Sequence, residues 1–276
     1  MQSTRDARLQ RRVQRYGWDL AVADYEPLWS VQLAQARSAL LASASLTAGE
    51  RVLDVACGTG LVSFDAARAI GPQGQVLGID LSGKMVDAAR QRAVRSRLEN
   101  VRFARMDAEA LGVQAGTFDV ALCALGLMYM PDPAQAVREM LRVLRPGGRL
   151  SLAVWGERLQ CGWSALLPIV AAEVDSDVCP LFFSLGEQDS LARLCSAERF
   201  ADVRLRRIAV SLDYSDEGEA CDAAFVGGPV ALAWSRFDPD ARARVRARYV
   251  AAIEPFREGT AYRIPGEFVI VVGTAP

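Results

Sequence analysis

The chain has 276 residues, enough for one large domain or one domain with a substantial insertion, and its 51% hydrophobic and 24% charged residues suit a globular core. Its 33 acidic residues nearly cancel its 32 basic ones, so no net field recruits nucleic acid or an anionic membrane. The chain has no histidine, which removes the commonest general acid–base side chain and excludes Ser–His–Asp and Cys–His chemistry.

The first twenty residues, MQSTRDARLQRRVQRYGWDL, carry arginines but no apolar run, which speaks against a secretory signal and fits an exposed helix. Residues 1–47 are expected to form an N-terminal helical cap. From about 50 to 155 strand and helix patterns alternate. Strands are expected at 51–55, 75–80, 101–106, 118–124 and 149–154. Between them, helices are expected at 60–70, from Ser82 as N-cap to about 97, and at 134–144 after Pro131-Asp132-Pro133. Strands that are apolar throughout and separated by helices predict a parallel sheet covered on both faces, a doubly wound α/β domain. Residues 156–189 read as irregular. A helix at 190–199 and a strand at 203–212 follow, then a helix opened by Asp238 and Pro239, and a last strand at 268–273. The expected closing topology is a hairpin of the two late strands with 213–260 inserted as a helical lid. The core is thus placed at 48–276, with 156–189 and 213–260 as insertions that form the acceptor pocket.

The longest apolar run, 120–130, is too short to span a bilayer, and a cytoplasmic protein without a membrane partner is expected. The six cysteines, at 57, 123, 161, 179, 195 and 221, form no CxxC pair, so no metal site is expected.

The chemistry gathers at strand ends. In "RVLDVACGTGLVS" an apolar strand stops at Asp54 and breaks at Gly58 and Gly60, which let the backbone turn tightly and approach a ligand. Asp80 ends the second strand at a spacing that lets it accept from both hydroxyls of a ribose, and Asp107 follows the third. Ligands of open α/β sheets bind outside the carboxyl ends of the strands, so these acids share one expected nucleoside site. A third glycine is lacking, and Asp54 disfavours a pyrophosphate; both features argue for a cationic nucleoside rather than a dinucleotide.

With "VLDVACGTG", "VLGIDLSGKMVDAAR", "RMDAEAL" and "FDVALCALGLMYMPDPAQAVREMLRVLRPGGRL" in this order, the chain resembles class I S-adenosylmethionine-dependent methyltransferases. The nearest branch is the small-molecule one that includes the ubiquinone/menaquinone C-methyltransferases. The resemblance is close over 45–155 and looser over "RFADVRLRRIAV" and "EFVIVVGTA". It implies a Rossmann-like seven-stranded sheet and S-adenosyl-L-methionine as cofactor. It assigns Asp54, Ala56, Gly58 and Gly60 to the loop that holds the methionine part, Asp80 with Leu81 to the ribose, and Met85 to the adenine surroundings. Asp107 and Ala108 fall to the adenine amino group, and Cys123 to the methionine moiety. N-terminal aromatics cap the cofactor in similar chains, and here Tyr16, Tyr25 and Trp29 are the candidates, Tyr16 for the cofactor and the other two for the acceptor. Tyr129 and Trp155 complete the expected acceptor pocket, and Trp163 points the same way or to the core.

The implied reaction is in-line displacement of the sulfonium methyl by a thiol, amine, phenolate or activated aromatic carbon of a small molecule, with positioning as the main contribution. No catalytic base is assigned; Met128 and Tyr129 stand where related enzymes often have histidine, and Tyr129, Tyr25, Asp24, Asp132 and Glu157 are the groups that could substitute for it. Arsenite methylation through Cys161, Cys179, Cys195 and Cys221 is a rival, as is a protein that binds the cofactor without methyl transfer. A nicotinamide dehydrogenase is disfavoured by the missing glycine and histidine. A nucleic-acid methyltransferase lacks its NPPY-type loop after the fourth strand. The "ALAW" stretch near 231 is a candidate homodimer surface or lid packing.

Overall fold

A computed structural model describes residues 4–174 and 182–276. The chain opens with α1 (Thr4–Trp29) and α2 (Ala34–Ala44). The alternating region follows as β1 (Arg51–Val55), α3 (Leu61–Ile70), β2 (Gln75–Asp80), α4 (Gly83–Ser96), β3 (Val101–Arg105), β4 (Phe118–Ala124), α5 (Pro133–Val143) and β5 (Leu144–Trp155). Then come α6 (Leu166–Val174), α7 (Ser190–Ala197), β6 (Ala201–Tyr214), α8 (Glu217–Phe225), α9 (Ala231–Arg236), α10 (Pro239–Ile253), the two-residue β7 (Arg257–Glu258) and β8 (Ala261–Thr274). The sheet runs β3-β2-β1-β4-β5-β8-β6, seven strands, and β7 adds a short eighth against β8. β1 to β5 are parallel, whereas β8 lies antiparallel between β5 and β6. Strand order reverses between β1 and β4, and that switch point is where an open α/β sheet leaves a crevice.

Period-two alternation sorts the strands between two cores. Leu53, Val55, Ala121 and Cys123 pack with α5 and α7. Val52, Val120 and Leu122 pack with α2, α3 and α4 on the other face. A third cluster, rich in aromatics, joins the C-terminal end of α1 and the end of β5 to α6, α8 and α10.

Helix ends follow their caps. Ser82 accepts from the Met85 amide (3.1 Å), Asp132 from Gln135 (2.9 Å) and Asp238 from Ala241 (2.7 Å). Three expectations need correction. Residues 156–189 are not wholly irregular: α6 forms there, while Cys179 and Pro180 lie outside the described residues. β5 begins at Leu144 rather than 149, because Leu144 pairs with Phe118 before a bulge carries the chain past Pro146 and two glycines to Arg149 opposite Val120. The late strands are 14 residues each, paired from Ala201–Thr274 to Tyr214–Tyr262, longer than the apolar runs alone suggested. Their added ends are held by ladder hydrogen bonds and by burial of Tyr214, Tyr262 and Ile264 in the aromatic cluster.

Candidate functional site

One cavity of about 1300 Å³, its open mouth included, lies over the carboxyl ends of β1, β2, β3 and β4. The loop after β1 contributes Ala56 and Gly58, with φ of +55° and +53°. Gly58 faces the ring of Tyr25 across a gap that a Cβ would narrow to 3.8 Å. Asp80 faces the cavity at the end of β2. Its carboxylate accepts from the amides of Gly58 (2.9 Å) and Ser82 (2.8 Å), and burial still raises its pKa. Leu81, Met85, Asp107 and Ala108 line the same wall. The loop after β4 closes it with Ala124, Leu125 and Gly126. Gly126 is required: a Cβ there would stand 2.3 Å from Ala56 Cβ.

The structure moves four expected residues out of this wall. Asp54 is 1% exposed; strand alternation turns its carboxyl to the α3 face, where Ser63 Oγ donates to it at 2.5 Å. Burial pushes its pKa up to about 7, so near neutrality it is only partly charged and is a poor counter-ion. Gly60, at φ +88°, fits against Phe64 and Phe103 at the head of α3, where a Cβ would come within 2.8 Å of Phe103. Cys123 points into the α5-side core, and burial pushes its thiol up to about 12. Tyr16 is 45% exposed, with the Arg15 guanidinium over its ring.

α1 replaces Tyr16 with a different stripe. Arg11, Gln14, Arg15, Trp18, Tyr25 and Trp29 all face the cavity, spaced three, four or seven apart. Tyr16 stands one position, roughly 100°, off that stripe. That period was readable in the sequence; picking out aromatics alone missed it. Arg11 ion-pairs with Asp107 (3.2 Å) and with Glu109, tying the helix to the end of β3. Asp19 accepts from Ser82 Oγ (2.5 Å) and the Lys84 amide (3.2 Å), tying it to α4.

The rest of the wall is aromatic. Tyr25, Trp29, Tyr129 and Trp155 line the cavity. Trp18 joins Tyr25 and Tyr129 edge to face, with centroids 5.7 and 5.4 Å away. Trp163, Phe182, Tyr214 and Tyr249 complete the wall from regions without a readable motif. Among the described residues, the five charged ones lining the cavity, Arg11, Arg15, Asp80, Asp107 and Glu109, all belong to α1 or to the ends of β2 and β3. Of the five groups considered as bases, only Tyr25 and Tyr129 reach the cavity. Asp132 caps α5, and Glu157 accepts from the Gln188 amide and pairs with Arg207 at 3.5 Å. Burial, with Asp80 nearby, holds the Tyr25 phenol well above its ordinary pKa, and burial does the same for Tyr214 and Tyr249.

Arsenite chemistry finds no thiol here: Cys161, Cys195 and Cys221 are buried outside the lining, and Cys179 lies outside the described residues. No group of metal-ligating side chains occurs among the described residues, and no described helix is long and apolar enough to cross a membrane.

The sheet order, the glycine-bearing turn and the ribose-type acid are those of a Rossmann-like methyltransferase domain. Residues 46–176 match the family described as a methyltransferase domain, and S-adenosyl-L-methionine is its cofactor. The chain is 38% identical over 102 residues to a demethylmenaquinone methyltransferase of Lactococcus lactis, covering 37% of this chain and 40% of the relative. It is 37% identical over 147 residues to the ubiquinone/menaquinone biosynthesis C-methyltransferase UbiE of Hahella chejuensis, covering 52% and 56%. The chain therefore spans about half the length of the curated relatives it matches. The fold is shared with the [4+2]-cyclase SpnF, at a TM-score of 0.60 and 24% identity over 88% of this chain and 80% of that one.

The donor set fits the cofactor. The two positive-φ residues, Ala56 and Gly58, and Gly126 leave a cradle with no side chain larger than a methyl, and Asp80 offers a carboxylate at its edge.

Proposed function

We propose that the chain methylates a small, flat, largely apolar acceptor of the aromatic or quinol type. The carrying observation is that one cavity joins the Asp80 cradle to an uncharged aromatic wall. The quinone names of the relatives above agree with such an acceptor.

In this reading Asp80 accepts from the ribose hydroxyls, Ala56 and Gly58 admit the methionine part, and Met85, Asp107 and Ala108 hold the adenine. When bound, S-adenosylmethionine supplies an electrophilic methyl group. Trp18, Tyr25 and Tyr129 stand where the two ligands would meet and keep that junction free of water, which strengthens every electrostatic contact inside it. Burial, with Asp80 nearby, favours the protonated Tyr25 phenol, which serves as a donor or a wall. The aromatic part of the wall has no carboxylate, histidine or lysine among the described residues, so the acceptor arrives already ionised or with a free lone pair. Alignment alone can contribute about 7–11 kcal/mol to such a step.

The same lack of a base favours a second reading, a protein that binds the cofactor and uses the cavity without methyl transfer. Calorimetry with S-adenosylmethionine and S-adenosylhomocysteine on wild type and Asp80→Ala tests the cofactor site. The expected result is micromolar binding of both, weakened roughly 10- to 150-fold in the variant, as for loss of a charge-assisted hydrogen bond. Equal binding by the variant overturns the role of Asp80. Release of S-adenosylhomocysteine on incubation with quinol and phenol acceptors separates the two readings: its formation supports transfer, and its absence across tight-binding acceptors supports the second.

A further inference from the structure

Trp163 is 5% exposed, lines the cavity, and its Nε1–H has no hydrogen-bond partner among the described residues. Leaving a buried donor unmet costs about 1–3 kcal/mol, so such a group in a well-ordered wall asks for a function. Its neighbours fix the indole without satisfying it. Trp155 and Phe182 meet it edge to face, at 4.9 and 5.5 Å between centroids, and Phe183 lies tilted at 5.5 Å. The preceding amide, of Gly162, is bound to the Pro265 carbonyl (2.8 Å), and a Cβ on Gly162 would meet Phe256 at 2.5 Å, so the turn that carries Trp163 is pinned. Trp29, in the same wall, shows the contrast: its Nε1 donates to the Ala223 carbonyl at 3.2 Å.

We infer that Trp163 is a specificity-determining residue whose Nε1–H donates to a ring oxygen, carbonyl or oxyanion, of the acceptor. This rests on the aromatic-acceptor reading above and adds the substituent that the ring must carry. The surrounding wall is hydrocarbon and aromatic, so a ring without an oxygen acceptor fills the same space but leaves the donor unmet. Discrimination comes from that penalty, as in any site built to hydrogen-bond its substrate. A donor also favours the ionised form of a phenol or enol, which suits a wall without a base.

The test uses a matched pair of probes with S-adenosylhomocysteine at saturation: 2,3-dimethyl-1,4-naphthoquinone and 2,3-dimethylnaphthalene, of similar ring size, with and without carbonyl oxygens. Wild type is expected to bind the quinone about 5- to 50-fold more tightly, and Trp163→Phe to lose most of that preference while keeping its affinity for S-adenosylhomocysteine. The indole ¹⁵N–H resonance of Trp163 is expected to shift with the quinone and not with the hydrocarbon, a readout that holds even if the variant does not fold. Equal affinity for the two probes, a preference retained by Trp163→Phe, or an unmoved indole resonance overturns the inference and leaves the aromatic-acceptor reading standing. Failure of both probes to bind, with S-adenosylhomocysteine still bound, overturns both.

Discussion

Asp54 shows how a residue can be well placed in sequence and differently employed in structure. Its position, at the end of β1 and before the glycine turn, was readable. Its direction depended on which face of the sheet α3 covers, and that only the folded chain decides. Its raised pKa has a stability consequence. The folded chain holds this proton up to about pH 7, the unfolded chain only to about pH 4. Between those values the folded chain binds more protons, so this group's contribution to stability falls as pH rises from about 4 to 7 and is level above. Denaturant unfolding of Asp54→Asn at pH 5 and pH 8 should show a smaller loss between the two than wild type shows. Ser63→Ala removes the one side-chain donor to that carboxyl, and a loss of about 1–3 kcal/mol is expected in the same assay.

At the scale of elements, the loops after β1 and β4 touch through Ala56 and Gly126, and this contact sets how closely the two loops approach. Gly126→Ala should force the loops apart, costing about 1–3 kcal/mol of stability and weakening S-adenosylhomocysteine binding in calorimetry by tenfold or more. The parallel strands and capped helices were legible because their signals are local: apolar runs, Ser82, Asp132 and Asp238 before helices, glycines after strands. α1 was legible as a helix and the period of its stripe was readable, but that this side faces a cavity was not, because its aromatic and basic residues look like the exposed side of a surface helix until the sheet end is set beneath them. α6, and the residues of β6, α8 and α10 that wall the cavity, carried no motif. They were placed as insertions, but Phe182, Tyr214 and Tyr249 converge only through tertiary packing.

For the whole molecule, the cavity is roofed by α1 and the aromatic cluster, so ligand binding joins the N-terminal helices, the sheet end and the late insertion. A ligand that binds only the folded chain stabilises it by about 2.7 kcal/mol at a hundred times its Kd. For a chain of this size, S-adenosylhomocysteine at that concentration should raise Tm by about 5 °C. A rise of that size with adenosine alone would mean that the methionine end of the cradle contributes little.

The distribution of sulfur gives the molecule a built-in set of clocks. Cys161 and Cys221 sit in the aromatic cluster, Cys123 and Cys195 in the core under α5 and α7, and Cys57 in the core under α2 and α3. All five are buried, and burial raises every one of these thiols above its ordinary pKa, so almost no thiolate exists at neutral pH while the fold is closed. Alkylation of each then counts the openings of its own layer. Peptide mass mapping after timed exposure to iodoacetamide therefore reads which layer breathes first, and acceptor occupancy should slow Cys161 and Cys221 more than Cys195.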